Sequence, residues 1–204
     1  MSDAGLDAFM SLVAGRRGHF KLESGHHGGL WLDLDPLFAQ PARIAPLVQD
    51  LAERLRPHGA ETVCGPLLGG AFLAQLVAQS LGVAFAFTER VMPAERDAAL
   101  YRARYRLPAA LVAVVRGRRV AMVDDVMSAG SALRGTYAEL REHGAEPVAA
   151  GALLVLGDVG AAFFAERSVP VESVARDEYR LWTPDACPLC AGGVPLEDLA
   201  SPSA

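Results

Sequence analysis

The sequence predicts an α/β domain built on a mostly parallel, twisted sheet flanked by helices, and three observations carry that expectation. Short apolar runs at residues 62–64, 83–87, 120–123 and 148–156 read as strands buried on both faces. Amphipathic segments at 70–81, 131–143 and 159–167 separate them, and alternating strands and helices imply parallel crossovers. The run at 120–123 delivers two adjacent carboxylates, Asp124 and Asp125, into a loop of small residues. In such sheets ligands sit beyond the carboxyl ends of the strands, so chemistry is expected there.

The elements follow in order. Leu6, Phe9, Met10 and Val13 recur at helical spacing, which predicts a helix over 3–14. Residues 19–22 and 30–34 read as two extended segments around the turn Ser24-Gly25-His26-His27-Gly28-Gly29, a hairpin. Pro41 opens a second helical pattern through Ile44, Leu47, Val48, Leu51 and Leu55, which stops near Pro57 to Gly59. Residues 88–110 interrupt the alternation with Glu89, Arg90, Glu95, Arg96, Asp97, Arg102, Arg104 and Arg106, as a functional lid or a disordered segment would. The tail from Trp182 holds Pro184, Pro188, Pro195 and the pair Cys187-Pro188-Leu189-Cys190, and reads as irregular. The expected division is an N-terminal helix and hood over 1–40, a core over 41–180 and an extension over 181–204.

Composition narrows the function. The 204 residues are 51% hydrophobic and 21% charged, enough apolar content for a buried core. No run approaches the ~18 apolar residues that span a bilayer, and the N-terminus lacks the pattern of a signal peptide, so the expected location is cytoplasmic, away from membranes. A net charge of −5 argues against a general nucleic-acid binder, whose phosphate contacts need a basic surface. Of 19 basic residues only Lys21 is lysine, so an anion site must rely on arginine or backbone amides. The 3 cysteines, an odd number, give no disulfide framework. The pair Cys187 and Cys190 has the spacing of zinc ligands, but a structural zinc site needs about four ligands and no second such pair exists. A structural Zn²⁺ is therefore not expected there, although completion across a dimer or by His58 or His143 is conceivable. Cys64 reads as a small buried strand residue. His26 and His27 read as solvated turn histidines, with contact to a ligand the alternative.

The segment from Val120 to Ala132 carries the most chemistry. A helix N-terminus opening from a small-residue loop exposes backbone N–H groups, with the Ser128 and Ser131 hydroxyls beside them, and so suits a phosphate. Carboxylates repel phosphate but accept hydrogen bonds from sugar hydroxyls and suit Mg²⁺, which prefers oxygen ligands. A 5′-phosphate, a ribose diol and a bound Mg²⁺ together satisfy every part of this segment.

The residues Val-Asp-Asp-Val-Met-Ser-Ala-Gly-Ser-Ala resemble the phosphoribosyl pyrophosphate (PRPP) signature of type I phosphoribosyltransferases, in a form closest to orotate phosphoribosyltransferases. Gly18-His19-Phe20-Lys21-Leu22-Glu23-Ser24-Gly25 is similar to their hood segment, and Cys64-Gly65-Pro66-Leu67-Leu68-Gly69-Gly70 to their pyrophosphate loop. The 88–110 insertion lies where they carry a mobile catalytic loop. The resemblance implies that Asp124 and Asp125 bind the ribose hydroxyls, directly or through Mg²⁺, with Arg90 as the loop cation. Val126, Met127, Ser128, Ala129, Gly130 and Ser131 would wrap the phosphate, and Gly65, Pro66, Gly69 and Gly70 the pyrophosphate. Lys21, Ser128 and Asp158 would meet the base. It also implies a homodimer that takes PRPP and a nucleobase, orotate for choice, in pyrimidine biosynthesis.

The sequence departs from that pattern at three places. Leu68 stands where the family has Lys, and the 88–110 insertion contains no Lys or His. Asp158 stands where the family meets the orotate carboxylate with Arg, and two like charges there would repel. Arg134 is the alternative countercharge. The competing readings are a PRPP-sensing protein without turnover and a phosphoribosyltransferase for another base.

Overall fold

The computed structural model of the protein describes residues 3–91, 100 and 103–198. Its main sheet has 6 strands: β3 (Thr62–Pro66), β4 (Ala84–Val91), β5 (Arg104–Arg106), β6 (Arg119–Met127), β7 (Glu146–Leu156) and β8 (Val171–Asp177), in the order β5-β4-β3-β6-β7-β8. The pairs from β4 to β8 are parallel, and only β5 runs antiparallel, against β4. The chain steps outward from β3 to β4, then returns to place β6 on the other side of β3. That reversal leaves a crevice at the carboxyl ends of β3 and β6, where a doubly wound sheet binds its ligand.

Alternation along the strands builds a core on each face. Val63, Ala121, Val123 and Leu153 pack with Phe9 of α1 (Asp3–Met10), Ile44 and Leu51 of α2 (Pro41–Leu55) and Leu73 of α3 (Gly69–Leu81). The intervening Cys64, Met122, Ala150 and Ala152 face the opposite layer. There they meet Val115 of α4 (Val112–Val115), Leu133 and Leu140 of α5 (Ser131–Glu142) and Phe164 of α6 (Val159–Ala165). Burial on both faces explains why these strands read as unbroken apolar runs.

A second sheet of 4 strands forms the hood. In it β1 (Ala14–Lys21) pairs antiparallel with β2 (His27–Asp33), which bears out the hairpin. The hairpin starts earlier than expected because Arg16 and Arg17 are exposed and hide the pattern, so α1 ends at Met10 instead of residue 14. The tail is not irregular. It adds β9 (Leu181–Trp182) to β2, the short helix α7 (Pro188–Ala191) and β10 (Glu197–Asp198) beside β1. Much of the expected insertion is also ordered: β4 runs on to Val91, and β5 returns through Arg104 and Arg106. Its middle, with Glu95, Arg96, Asp97 and Arg102, lies outside the described residues.

Candidate active site

The acidic pair is held inside β6 rather than after it. The strand pairs with β7 as far as Met127, and Asp124 and Asp125 lie half-buried within it. The Asp125 amide donates to Asp124 Oδ1 at 3.1 Å and the Val126 amide to Asp125 Oδ1 at 2.7 Å, so the backbone fixes one oxygen of each carboxylate. Gly130 takes a left-handed φ of 74° and turns the chain into α5, whose first amides have no intrahelical partner. The loop rests on α6, where the Gly160 amide donates to the Ser128 carbonyl at 3.0 Å.

The loop between β3 and α3 faces the carboxylates at close range. A Cβ on Gly69 would collide with Asp125 Oδ2, and one on Gly70 would stand 2.7 Å from Asp124 Oδ1. Gly65 is equally constrained, since its Cβ would strike the Gly70 carbonyl. Glycine at these positions lets the backbone of one loop approach the acids of the other. Leu68 projects into solvent at 68% exposure.

The third wall comes from the hood turn. Leu22, Glu23 and Ser24 line a cavity of about 140 Å³ together with Asp124, Val126, Ser128, Gly130, Ser131 and Ala132. Glu23 Oε1 accepts from the Tyr105 hydroxyl at 2.9 Å, and Arg90 Nη1 lies 3.6 Å from Glu23 Oε2. Burial pushes the Asp124 carboxyl well above the usual carboxylate range, and the neighbouring Asp125 and Glu23 charges add to the shift. Asp125 is raised as well, chiefly by burial. The Tyr105 hydroxyl is raised by burial and by Glu23 and stays protonated as a donor.

The structure therefore gathers most of the residues the sequence singles out. Asp124, Val126, Ser128, Gly130 and Ser131 line the cavity, and Met127 and Ala129 are buried beneath the loop. Asp125 lies against Gly69 beside Gly70, with Gly65 and Pro66 at the end of β3. Arg90 joins through Glu23. Two residues are not brought in. Lys21 Nζ bonds Asp198 Oδ2 of β10 at 2.9 Å and does not line the cavity, because Lys21 still belongs to β1, paired with β10, and the turn that reaches the cavity begins after it. Asp158 is exposed at the start of α6 and does not line it either. Arg134 on the first turn of α5 donates to the Val159 carbonyl at 2.9 Å. Its charge, after burial, helps to hold the His26 imidazole below its usual pKa. His26 is buried against Ser24 Oγ at 3.1 Å and is not a solvated turn residue. Glu23 and Tyr105 have no signal in the sequence, because the hood turn and the β4–β5 hairpin bring them together from 82 residues apart.

Relatives match this chain along nearly its whole length. An orotate phosphoribosyltransferase of Caldanaerobacter subterraneus is 29% identical over 194 residues, covering 94% of this chain and 93% of the relative. That of Desulforamulus reducens is 32% identical over 190 residues, covering 93% and 92%. The solved orotate phosphoribosyltransferase of Aeropyrum pernix superposes with a TM-score of 0.64 at 23% identity, covering 84% of this chain and 93% of that one. An adenine phosphoribosyltransferase of Rhodothermus marinus reaches 0.66 at 18% identity, covering 86% and 100%, so the fold is common to both. The profile of the phosphoribosyl transferase domain matches residues 36–178, which takes in both glycine-bearing loops and the acidic strand end. The chain belongs to the phosphoribosyl transferase domain family.

Proposed function

We propose that this phosphoribosyltransferase moves the 5-phosphoribosyl group of Mg²⁺-PRPP to orotate, with release of pyrophosphate. The observation that carries the reading is the cleft where Asp124 and Asp125 stand between two backbone loops. The segment from Val126 to Ser131 wraps the 5′-phosphate, and the amides at the start of α5 hold it, as a helix N-terminus does. Asp124 and Asp125 accept the ribose hydroxyls, and their oxygens, with Glu23 nearby, also fit a hard oxygen-seeking cation such as Mg²⁺. Bound with PRPP, Mg²⁺ would neutralise charge developing on the leaving diphosphate. Gly65, Pro66, Gly69 and Gly70 let backbone reach that diphosphate. As the C1–O bond breaks, positive charge grows on the sugar, and fixed carboxylates beside the ring favour it. The base nitrogen then takes C1.

The identity of 29% and 32% to the two orotate phosphoribosyltransferases, over more than nine-tenths of each chain, supports orotate as the base. Its carboxylate needs a countercharge, for which Arg134 beside His26 is the candidate in place of Lys21. Glu23 favours a second reading, a base without a carboxylate, because it sets another acid in the cleft. The test is pyrophosphate release from Mg²⁺-PRPP with a panel of free bases that includes orotate and adenine. Release with orotate supports the proposal, whereas release with an uncharged base alone assigns the second reading. PRPP binding without release for any base would make the protein a sensor. A homodimer in the cytoplasm completes the proposal, checked by light scattering and by cell fractionation. Among the described residues no helix is long and apolar enough to cross a membrane.

A further inference from the structure

The two histidines of the hood hairpin meet the two cysteines of the tail. His19 on β1 and His27 on β2 flank the hood turn, and Cys187 and Cys190 flank the first turn of α7. Their ligand atoms all lie within 4.8 Å of one another. His19 Nε2 stands 3.1 Å from His27 Nδ1, 3.3 Å from Cys187 Sγ and 3.7 Å from Cys190 Sγ, and Cys190 Sγ is 3.3 Å from His27 Nδ1. A tetrahedron with Zn–N near 2.05 Å and Zn–S near 2.3 Å has edges of about 3.4 to 3.8 Å, close to these separations. His19, His27 and Cys187 are buried, and Cys190 reaches the surface.

The surroundings orient the set as metal ligands are oriented. His19 Nδ1 lies 2.8 Å from the Val194 carbonyl. A carbonyl only accepts, so Nδ1 carries the proton and Nε2 is the ring atom left to face the sulfurs as a ligand. One lone pair cannot serve His27 and both thiols as an acceptor, whereas one cation at the centre satisfies all of them. The tail is shaped to present both sulfurs. Pro188 starts α7, the Ala191 amide returns to the Cys187 carbonyl at 3.2 Å, and the Gly193 amide to that of Cys190 at 3.0 Å. Gly193 at φ 69° then aims Val194 back at His19. His58 and His143, the conceivable partners from sequence, bond Glu172 and Glu139 instead. The pair expected to lack partners has them.

We propose that His19, His27, Cys187 and Cys190 form a structural Zn²⁺ site that clamps the tail onto the hood. Binding releases the two thiol protons, and the two thiolates balance the charge of the ion. Two thiolates with two imidazoles suit zinc among the common divalent cations, and a set closed by four protein ligands leaves no position for substrate. The clamp joins three chain segments and holds the ends of the turn whose Leu22, Glu23 and Ser24 line the catalytic cleft.

The experiment is elemental analysis of the purified full chain, with thiol titration and Co²⁺ exchange. The expected result is about one Zn²⁺ per chain, as a closed site takes, with a Co²⁺ form showing thiolate charge-transfer bands. Cys190→Ser and His27→Gln should each lose most of the metal, and chelation should lower the wild-type melting temperature. Protein that carries no zinc, takes none up when it is supplied and keeps its thiols free would overturn the proposal. So would a Cys187–Cys190 disulfide as the stable form, or preferential loading with iron. Metal content of the wild type decides the matter even where a variant fails to fold, and none of these readouts depends on transferase activity.

Discussion

Replacing Asp124 by Asn should stabilise the free protein while it cripples the binding of PRPP. Burial, Asp125 and Glu23 all disfavour the charged form of Asp124 in the fold, so its pKa is raised. Above the unfolded value of ~3.9 the ionised group therefore weighs against folding. The folded state binds more protons than the unfolded one between that value and the raised one, so this penalty is relieved as pH falls through the window. Two carboxylate charges about 5 Å apart at an effective dielectric near 20 repel by about 3 kcal/mol, which sets the scale of the gain on neutralising one. Asn keeps the Oδ1 that accepts from the Asp125 amide and fits the same space beside Gly70.

A gain of about 1–3 kcal/mol at pH 7.5 corresponds to a rise of about 2–10 °C in melting temperature for a domain this size. In the proposed site the same change removes charge-assisted bonds to the ribose hydroxyls worth about 1.5–3 kcal/mol, which should weaken PRPP about 10- to 150-fold. Differential scanning calorimetry and titration calorimetry with Mg²⁺-PRPP read the two effects separately. A lower melting temperature would refute the argument that the acid is strained, and unchanged PRPP affinity would refute its place in the site.

Three further outcomes follow from the geometry. Gly69→Ala puts a Cβ onto Asp125 Oδ2, and should lower kcat/KM at least about tenfold while stability changes little, because the loop can move away from the acids. Tyr105→Phe removes the bond to Glu23 and should cost about 1 kcal/mol in urea denaturation, while PRPP affinity separates a structural from a binding role. His26 is held below its usual value by burial, then by Arg134 and His27, so the unfolded chain binds the extra proton first. Stability should fall as pH drops below about 6.5, and His26→Gln should flatten that slope in denaturation curves taken at successive pH values.

The parallel core was legible because burial on both faces leaves unbroken apolar runs, as at 120–123 and 148–156. β8 was not, since Glu172, Arg176 and Asp177 interrupt its run at the outer edge of the sheet. The phosphate loop and the acidic pair were legible for a different reason. Their function needs consecutive residues, so the chemistry is written locally. The base end and the metal cluster are assembled from segments distant in sequence, and there local reading misplaced the residues. Lys21 and Glu23 belong to one short segment, but only the turn after β1 decides which side chain enters the cleft. His19 and His27 read as hood residues, and Cys187 and Cys190 as half a site, until pairing of β9 and β10 with the hairpin brings the tail across it.

That placement also changes the charge argument at the base. From sequence, the repulsion of orotate rested on Asp158 standing where relatives carry arginine. The exposed Asp158 does not reach the cavity, so its charge is screened by water and weakens within about 8–10 Å at ordinary salt. Glu23 inherits the role of the repelling acid, but it does not act alone. Tyr105 donates to one of its oxygens and Arg90 faces the other, which spreads and partly offsets its charge. Among the described residues that line the cavity Asp124 has no comparable cation, and it takes the larger shift of the acidic pair. The cleft is thus electronegative at Asp124 and Asp125, where the proposed reaction would develop a cationic sugar, and nearer neutral toward Arg90 and Arg134. If orotate is the base, as proposed, its carboxylate is expected at that second end, toward Arg90 and Arg134, and not beside Asp124 and Asp125.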